Sequence, residues 1–299
     1  MDVSVSGYMD YDGVKCLCED LSVPADLTER LLSHIKTADF SCLDPWINGL
    51  FKPETGGEAV KKIAELCKTE EEPDGDAGLK ALAVYLAAAL RTRDYYDKTG
   101  IGRDIFIETM KGFPRLAYEH MKSYGRYGFD RHFWIYRQLS ASIFRLGVLE
   151  YEFYRFPENT EPAGPVLPGA SALSVHIPSD AVMERKSLDN SYRMAKAFFS
   201  RFFPDFNYNC VYCSTWLLSP VLKQILKPGS RILNFQEDYE ITKADLTVNG
   251  GLMWIYKKEY EDYNLLPEET SLMRGVKKIL LSGGKTGSAS GYVKDFNEK

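Results

Sequence analysis

The sequence predicts an α+β protein with a helical N-terminal domain, residues 1–127, and a mixed β-sheet domain with flanking helices, residues 128–299. Two observations lead to this fold class. Apolar residues recur at helical spacing through most of the first half, whereas the second half contains short alternating runs rich in β-branched and aromatic residues. The pattern changes near the turn at Gly125–Asp130, which sets the predicted boundary. A chain of 299 residues is long enough for two domains of ordinary size.

The first half contains a series of helical patterns. The predicted helices are Ala25–Lys36, Ser41–Phe51, Gly57–Lys68, Leu79–Tyr96, Arg103–Tyr124 and Phe133–Ile143. Gly112–Pro114 should break the fifth of these, because proline lacks the N–H group that an uninterrupted helix needs. The acidic segment Thr69–Gly78 contains proline and glycine and is predicted to be a loop. Residues before Leu21 carry few helix signals.

The second half alternates between strand and helix patterns. The predicted strands are Arg145–Phe156, Leu173–Ile177, Asn209–Ser214, Arg231–Thr242, Leu252–Lys257 and Tyr292–Phe296. The predicted helices are Ser187–Phe203, Ser219–Leu226 and Pro267–Leu281. The dipeptide Asn249-Gly250 favours a hairpin turn between two of the strands. The order of strand, helix and strand from Leu173 to Ser214 predicts a right-handed βαβ unit with parallel strands.

Composition and charge exclude several classes of protein. A net charge of −5 does not suit a nucleic-acid partner, which would require a basic surface. The apolar run Gly78–Leu90 is too short to span a bilayer, so no membrane partner is expected. The N-terminus lacks the pattern of a signal peptide, and six cysteines do not form a disulfide scaffold in a chain of this length. We therefore expect a cytoplasmic protein with reduced thiols, and the sequence leaves its oligomeric state open.

Three polar residues end the two strands of the predicted βαβ unit: His176, Cys213 and Ser214. Such units place binding groups at the carboxyl ends of their strands. The unperturbed pKa of histidine lies near neutrality, so His176 suits a general base, the alternative being a structural, hydrogen-bonded histidine. Cys213 is either a buried small side chain or a thiol that attacks or positions a substrate.

A second candidate site lies at the start of the Phe-rich helix. Arg185, Lys186 and Ser187 bring two cations to a helix N-terminus, where anions bind well, although an ordinary solvated helix cap has the same composition. Cys210 and Cys213 have the spacing of a redox or metal pair. They lie within a strand and no further ligands cluster beside them, so the sequence predicts no metal.

An ordered set of motifs along the chain resembles a family of bacterial two-domain acyltransferases. The motifs are Arg145-Leu146-Gly147, Val175-His176-Ile177-Pro178, Ser191 with Ala195 and Phe198-Phe199, Cys213-Ser214-x-Trp216-Leu217-Leu218-x-Pro220, and the glycine-rich segment Gly283–Gly291. The family combines an N-terminal acyltransferase-associated helical domain with a GNAT-like C-terminal domain. The resemblance covers essentially the whole chain. It implies transfer of an acyl group from a CoA or carrier-protein thioester to the amine or hydroxyl of a small-molecule acceptor.

The resemblance also implies where the acyl donor binds. In GNAT enzymes, acyl-CoA binds where the two strands of the βαβ unit splay apart. This implies that Val175 and Ile177 contact the pantetheine arm, and that Arg185, Lys186 and Ser187 meet the pyrophosphate. The chain departs from the GNAT pattern at one point: residues 179–184, SDAVME, replace the glycine signature that binds the pyrophosphate.

The resemblance implies catalytic roles as well. His176 would be the general base, with backbone amides of its strand as oxyanion donors. Cys213 and Ser214 would position the thioester or protonate the leaving thiolate. Two alternatives remain open from the sequence. One is a non-catalytic module on a degenerate GNAT fold that binds a small molecule or protein, and the other is hydrolysis through Cys213 and His176.

Overall fold

The computed structural model of this chain describes residues 9–68 and 76–296. The chain forms two compact units, residues 1–145 and 146–299. The first is helical, and the second is built on a mixed β-sheet with helices. This confirms the α+β fold class. The position of the predicted domain boundary, between residues 127 and 128, lies within the first unit.

Eight α-helices can be described in the first unit. They are α1 (Tyr11–Asp20), α2 (Ala25–Thr37), α3 (Asp44–Ile47), α4 (Pro53–Leu66), α5 (Leu79–Thr99), α6 (Arg103–Met110), α7 (Gly112–Tyr124) and α8 (His132–Leu139). Helix α5 is buried on nearly all sides, as its apolar sequence predicts. The helical region is interrupted at Lys111, between α6 and α7, as predicted from Gly112 and Pro114. Most of the predicted loop Thr69–Gly78, residues 69–75, lies outside the described residues.

Helix α1 is the element that the sequence prediction missed. Its N-cap is Asp10, whose carboxylate accepts a hydrogen bond from the Gly13 amide. An aspartate in this position satisfies one of the amides that the first helical turn leaves unpaired. Val14, Leu17 and Cys18 then form a short buried stripe. The cap was the available signal, and the short stripe was too brief to show periodicity.

The His132 side chain, at the start of α8, lies among aromatic rings. Its ring packs against the rings of Tyr85 and Phe129, at centroid distances of 5.9 and 5.3 Å, and its Nδ1 atom is buried without a hydrogen-bond partner among the described residues. Burial lowers the pKa of His132 from 6.5 to about 4; nearby Asp130 raises it and Lys68 lowers it, both to smaller extents.

We therefore expect acid to destabilise the folded chain through His132. Between pH 6.5 and pH 4 the unfolded chain binds a proton that the folded chain excludes, so stability is full above pH 6.5 and falls as the pH is lowered towards 4. The loss through this one group from pH 7.5 to pH 5 is about 2 kcal/mol. Urea unfolding of wild type and His132→Gln at both pH values measures it. Equal acid sensitivity of the two proteins would contradict this assignment.

The second unit is organised around a six-stranded sheet, whose first strand begins at Ile143, before the division that follows residue 145. The strands are β1 (Ile143–Leu146), β2 (Leu149–Arg155), β3 (Ser171–His176), β4 (Cys210–Thr215), β5 (Tyr239–Asp245) and β6 (Ser288–Val293), in the order β1-β2-β3-β4-β6-β5. The helices are α9 (Arg185–Phe202), α10 (Arg231–Gln236), α11 (Leu252–Tyr256) and α12 (Ser271–Leu281). Strands β3 and β4 are parallel and joined through α9, so the predicted βαβ unit is confirmed.

Helix α9 is fixed to the sheet by a buried serine. The Ser191 hydroxyl donates to the Leu146 carbonyl, accepts from the Leu149 amide at 3.3 Å, and lies 3.2 Å from the Tyr151 hydroxyl. The predicted strand Arg145–Phe156 is in fact two strands, with a turn at Gly147 between them. Gly147 has φ +70°, and a Cβ there would lie 3.2 Å from the Ser191 Cα atom. Glycine is therefore required both by the turn and by the close approach of α9.

Two predicted strands near the C-terminus are wrong in whole or in part. The first half of Arg231–Thr242 is helix α10, which Ser230 caps by accepting from the Leu233 amide, and only Tyr239–Thr242 belongs to strand β5. The segment Leu252–Lys257 is helix α11, which follows Gly251 at φ +80°. Asn249-Gly250 is therefore not a hairpin turn, and β5 pairs instead with the distant strand β6. For α10, the cap at Ser230 outweighed the alternating pattern on which the strand prediction rested, whereas α11 begins without a side-chain cap.

Candidate active site

Strands β3 and β4 stop pairing with each other before either of them ends. Their parallel ladder joins Ala172–Ser174 to Cys210–Tyr212. Beyond it, β3 continues to His176 in register with β2, and β4 continues to Thr215 in register with β6. The two central strands therefore part at their carboxyl ends, where main-chain groups are no longer used in the ladder between them. Parallel sheets bind ligands at such ends.

The strand register assigns the nearby side chains to the two faces of the sheet. Successive residues of a strand alternate between faces. His176 shares a face with Ser174, whose register partner on β4 is Tyr212. Ser214 lies two residues beyond Tyr212 and therefore on the same face as His176. Cys213 lies on the opposite face, so the register separates the two residues that a Cys–His nucleophile would combine.

His176 is hydrogen-bonded to a carboxylate. Its Nε2 atom lies 2.7 Å from Oε2 of Glu152 on β2, and the two side chains are only 23% and 16% exposed. The direct register partner of Glu152 is Ser174, so this contact is diagonal across the strand pair. With Nε2–H donating to the carboxylate, Nδ1 is the nitrogen that can accept a proton. A histidine oriented by a carboxylate in this way is suited to general-base chemistry.

Cys213 lies inside the fold, at the point where β3 and β4 part. Its side chain is fully buried and its Sγ donates to the Val175 carbonyl at 3.3 Å. Burial raises the pKa of the Cys213 thiol strongly, which disfavours the reactive thiolate. Cys210 is three residues away on the same strand and so faces the other side of the sheet. The pair therefore lacks the geometry of a redox or metal-binding CxxC.

Ser214 is exposed at the end of β4 and bonded to a second serine. The Ser290 hydroxyl on β6 donates to the Ser214 hydroxyl at 2.8 Å, and the two residues are direct register partners. Two hydroxyls therefore stand on the β4 side of the opening, while His176 and Glu152 stand on the β3 side. Ser290 was not identified from the sequence.

The N-terminus of α9 carries the second group of predicted site residues. The Arg185 guanidinium binds Asp238 through two hydrogen bonds, of 2.8 and 2.9 Å, and Asp189 through a third contact of 2.8 Å. Asp238 is 7% exposed and also accepts from the Tyr192 hydroxyl at 3.1 Å. The neighbouring carboxylates raise the pKa of Arg185, although its burial opposes this. Arg185 is thus already engaged in holding α9 to the start of β5.

The other two predicted residues of this turn are more available. Lys186 is exposed and Ser187 is half-buried. The N-cap residue is Glu184, whose side chain does not cap the helix and instead accepts from Arg231 at 2.9 Å. First-turn amides without a side-chain cap suit an anion. Val175 is buried and Ile177 half-buried, both at the end of β3.

Two known domain families match this chain. Residues 143–293, slightly more than half of the chain, match the GNAT-like C-terminal domain. Residues 13–141 match the N-acyltransferase N-terminal domain. The chain belongs to this family of two-domain acyltransferases. Comparison with curated proteins gave no match.

Solved structures of acyltransferases share the fold of this two-domain acyltransferase. One, in complex with decanoyl-CoA and teicoplanin, has a TM-score of 0.72 at 21% identity and covers 94% of this chain and 87% of that chain. Another, in complex with CoA and 10C-teicoplanin, has a TM-score of 0.73 at 21% identity, with the same coverage. A third, in complex with decanoyl-CoA, has a TM-score of 0.73 at 20% identity and covers 95% and 88%. All three were solved with CoA or an acyl-CoA.

Two features are absent from the part of the chain that the structure describes. Within residues 9–68 and 76–296, no three His, Cys, Asp or Glu side chains are grouped as metal ligands would be. In the same residues, no helix of this acyltransferase combines the length and the apolar character needed to cross a bilayer.

Proposed function

We propose that this protein transfers an acyl group from acyl-CoA to the amine nitrogen of a small-molecule acceptor. The observation that carries the proposal is the His176–Glu152 pair, at the place where β3 and β4 part, in a member of an acyltransferase family. A hydroxyl group is the alternative acceptor, and it would receive the acyl group by the same reaction. An acyl-carrier protein is the alternative source of the thioester.

In the proposed reaction, Nδ1 of His176 accepts the proton of the attacking amine. The new C–N bond forms as the C–S bond breaks, and the sulfur leaves as a thiolate that takes up a proton. Glu152 holds the imidazole through Nε2 and stabilises the imidazolium that results. Main-chain amides beyond the β3–β4 ladder supply donors for the oxyanion.

The acyl donor is proposed to enter the opening between β3 and β4. The pantetheine arm extends β3 through main-chain contacts at Val175 and Ile177, in the manner of strand addition. The pyrophosphate meets the first turn of α9, with Lys186 and Ser187 as direct contacts. We retain Arg185 in this group for its charge, and its bonds to Asp238 and Asp189 give it the further task of fixing the helix end.

Cys213 is proposed to act as a positioning group rather than as a nucleophile. Its thiol is buried, its pKa is raised, and it donates to the Val175 carbonyl, which is in the strand that would bind the donor. Each of these features disfavours attack by the sulfur. Hydrolysis through a thioester on Cys213 is therefore the less favoured reaction.

The acceptor is proposed to bind on the sheet face that carries His176 and Ser214. One acyltransferase of similar fold was solved in complex with both decanoyl-CoA and teicoplanin, so that protein binds a second molecule together with an acyl-CoA. A primary amine is an acceptor that a histidine base suits, because the nitrogen that attacks the thioester must lose a proton as the amide forms.

The experiment that tests the function is release of free CoA thiol from acyl-CoAs of increasing chain length, with and without a panel of primary amines. We expect release that requires both substrates. Release without an amine would indicate hydrolysis. A rise in melting temperature with acyl-CoA but no release would favour the non-catalytic binding module, which the missing glycine signature in residues 179–184 supports.

The two cations of α9 are expected to behave differently when replaced. Lys186→Ala should leave the melting temperature of the free protein unchanged and reduce the rise that saturating CoA produces. Arg185→Ala should lower the melting temperature of the free protein, because Asp238 loses two hydrogen bonds while nearly buried, at a cost of about 1–3 kcal/mol. Differential scanning fluorimetry with and without CoA measures both. Equal effects of the two variants on the free protein would refute this division of roles.

A further inference from the structure

The hydrogen bond between Ser290 and Ser214 points to a role for Ser290 in the proposed reaction, whose mechanism does not yet include it. We propose that Ser290 is a positioning residue, which orients the Ser214 hydroxyl so that it donates to the leaving sulfur of the thioester. The inference rests on the proposed acyl transfer and adds a residue to it.

The first support is the rigidity of the Ser290 position. Ser290 lies on β6 between two partner strands, opposite Ser214 on β4 and Lys243 on β5. Its carbonyl also accepts from the Thr242 hydroxyl at 3.3 Å. Pairing on both sides fixes the backbone of Ser290, and with it the point from which its hydroxyl reaches Ser214.

The second support is the direction of the hydrogen bond. The Ser290 hydroxyl donates to Ser214, at 2.8 Å, and thereby occupies an acceptor position of the Ser214 oxygen. A serine hydroxyl has one hydrogen to donate, and in this arrangement the hydrogen of Ser214 points away from Ser290. Hydrogen bonds in a chain also polarise one another, which makes Ser214 a better donor.

The third support is the position of the two serines relative to the base. The register assigns Ser214 and His176 to one face of the sheet, on opposite sides of the opening between β4 and β3. A thioester carbon in that opening would have its attacking nitrogen on the His176 side and its leaving sulfur on the Ser214 side. Base and donor would therefore act on different bonds of the same carbon.

The step balances as follows. The amine nitrogen bonds to the acyl carbon and gives its proton to His176, while the C–S electron pair leaves on sulfur. Ser214 stabilises that thiolate by a hydrogen bond and keeps its own proton, since a thiol with an ordinary pKa near 8.5 leaves readily as the anion. After release, the thiolate takes up a proton from water, and His176 returns its proton to the solvent, so the amine proton balances the thiol proton.

The test uses the full chain and steady-state rates of CoA release with a saturating amine. For Ser290→Ala we expect kcat to fall about fivefold, which corresponds to the loss of one hydrogen bond worth roughly 1 kcal/mol. The KM for acyl-CoA should stay unchanged. Ser290→Thr keeps a hydroxyl and should restore most of the rate. In a double-mutant cycle, Ser290→Ala should add nothing to Ser214→Ala, because it acts only through that hydroxyl. Ser282→Ala removes an exposed hydroxyl that bonds to the Ile279 carbonyl and is the matched control.

The outcomes separate this inference from the proposed function. Suppose that wild type transfers acyl groups. If Ser290→Ala then has the wild-type kcat, changes only KM, or adds its full effect to that of Ser214→Ala, the role of Ser290 is refuted and the proposed function stands. If wild type consumes no acyl-CoA with any amine, the proposed function is refuted and the role of Ser290 with it.

Discussion

Replacing His176 with alanine is expected to lower kcat for acyl transfer by about 10²–10⁴-fold while leaving the fold intact. The variant removes the group that accepts the amine proton, and because the ring is partly exposed, the space it leaves can be filled by water. Thiol release under single-turnover conditions measures the rate, and far-ultraviolet circular dichroism with a melting curve measures the fold. A variant that keeps more than a tenth of the wild-type rate would exclude His176 as the base.

Two further variants define what the His176 result means. Glu152→Gln keeps the size of the partner and removes its charge. Its kcat for acyl transfer should lie between those of wild type and His176→Ala, because the imidazolium loses its stabilising carboxylate. His34→Ala is the matched control, since His34 and Asp76 in the first unit form a pair with the same 2.7 Å distance and similar exposure. The control variant should transfer acyl groups at the wild-type rate.

Replacing Phe199 with alanine is expected to destabilise the second unit by about 3–5 kcal/mol. Phe199 is 1% exposed on α9 and packs against the rings of Phe153, Phe198 and Phe203, at centroid distances of 5.5, 5.2 and 5.9 Å. Alanine would leave a cavity where α9 meets β2. Chemical denaturation measures the loss.

The same helix supplies a control for the Phe199 variant. Phe202 is half-buried, contacting Phe198 at 5.1 Å and the Arg201 guanidinium at 4.9 Å. The Phe202 side chain already meets solvent, so Phe202→Ala should reduce the free energy of unfolding by less than half as much as Phe199→Ala. Equal losses would mean that α9 is not fixed to the sheet through Phe199.

The parts of the fold that follow from local sequence were predicted well. Helix α9 has a Phe-rich apolar face at helical spacing and is closed by Pro204, so its existence and approximate ends could be derived. Helix α10 shows the limit of prediction from local sequence. Its segment alternates like a strand, and only the cap at Ser230 distinguishes the two structures.

The candidate site was only partly predictable for a different reason. His176 and Ser214 end the strands of a recognisable βαβ unit, so chain order alone singled them out. Glu152 could not be distinguished from Glu150 as the partner of His176, because the choice depends on the register between β2 and β3. Ser290 is 76 residues from Ser214, and no local pattern connects them. Register between distant strands is set by the whole sheet.

The measurement that tests the account most directly is mass spectrometry of the amine acceptor after incubation with wild-type protein and decanoyl-CoA, with free CoA quantified in the same sample. The account expects acceptor molecules that have gained one acyl group, in equal amount to the CoA released, and no such product with His176→Ala. Free CoA without acylated acceptor, or acylated acceptor formed equally well by His176→Ala, would contradict acyl transfer by the pair of His176 and Glu152.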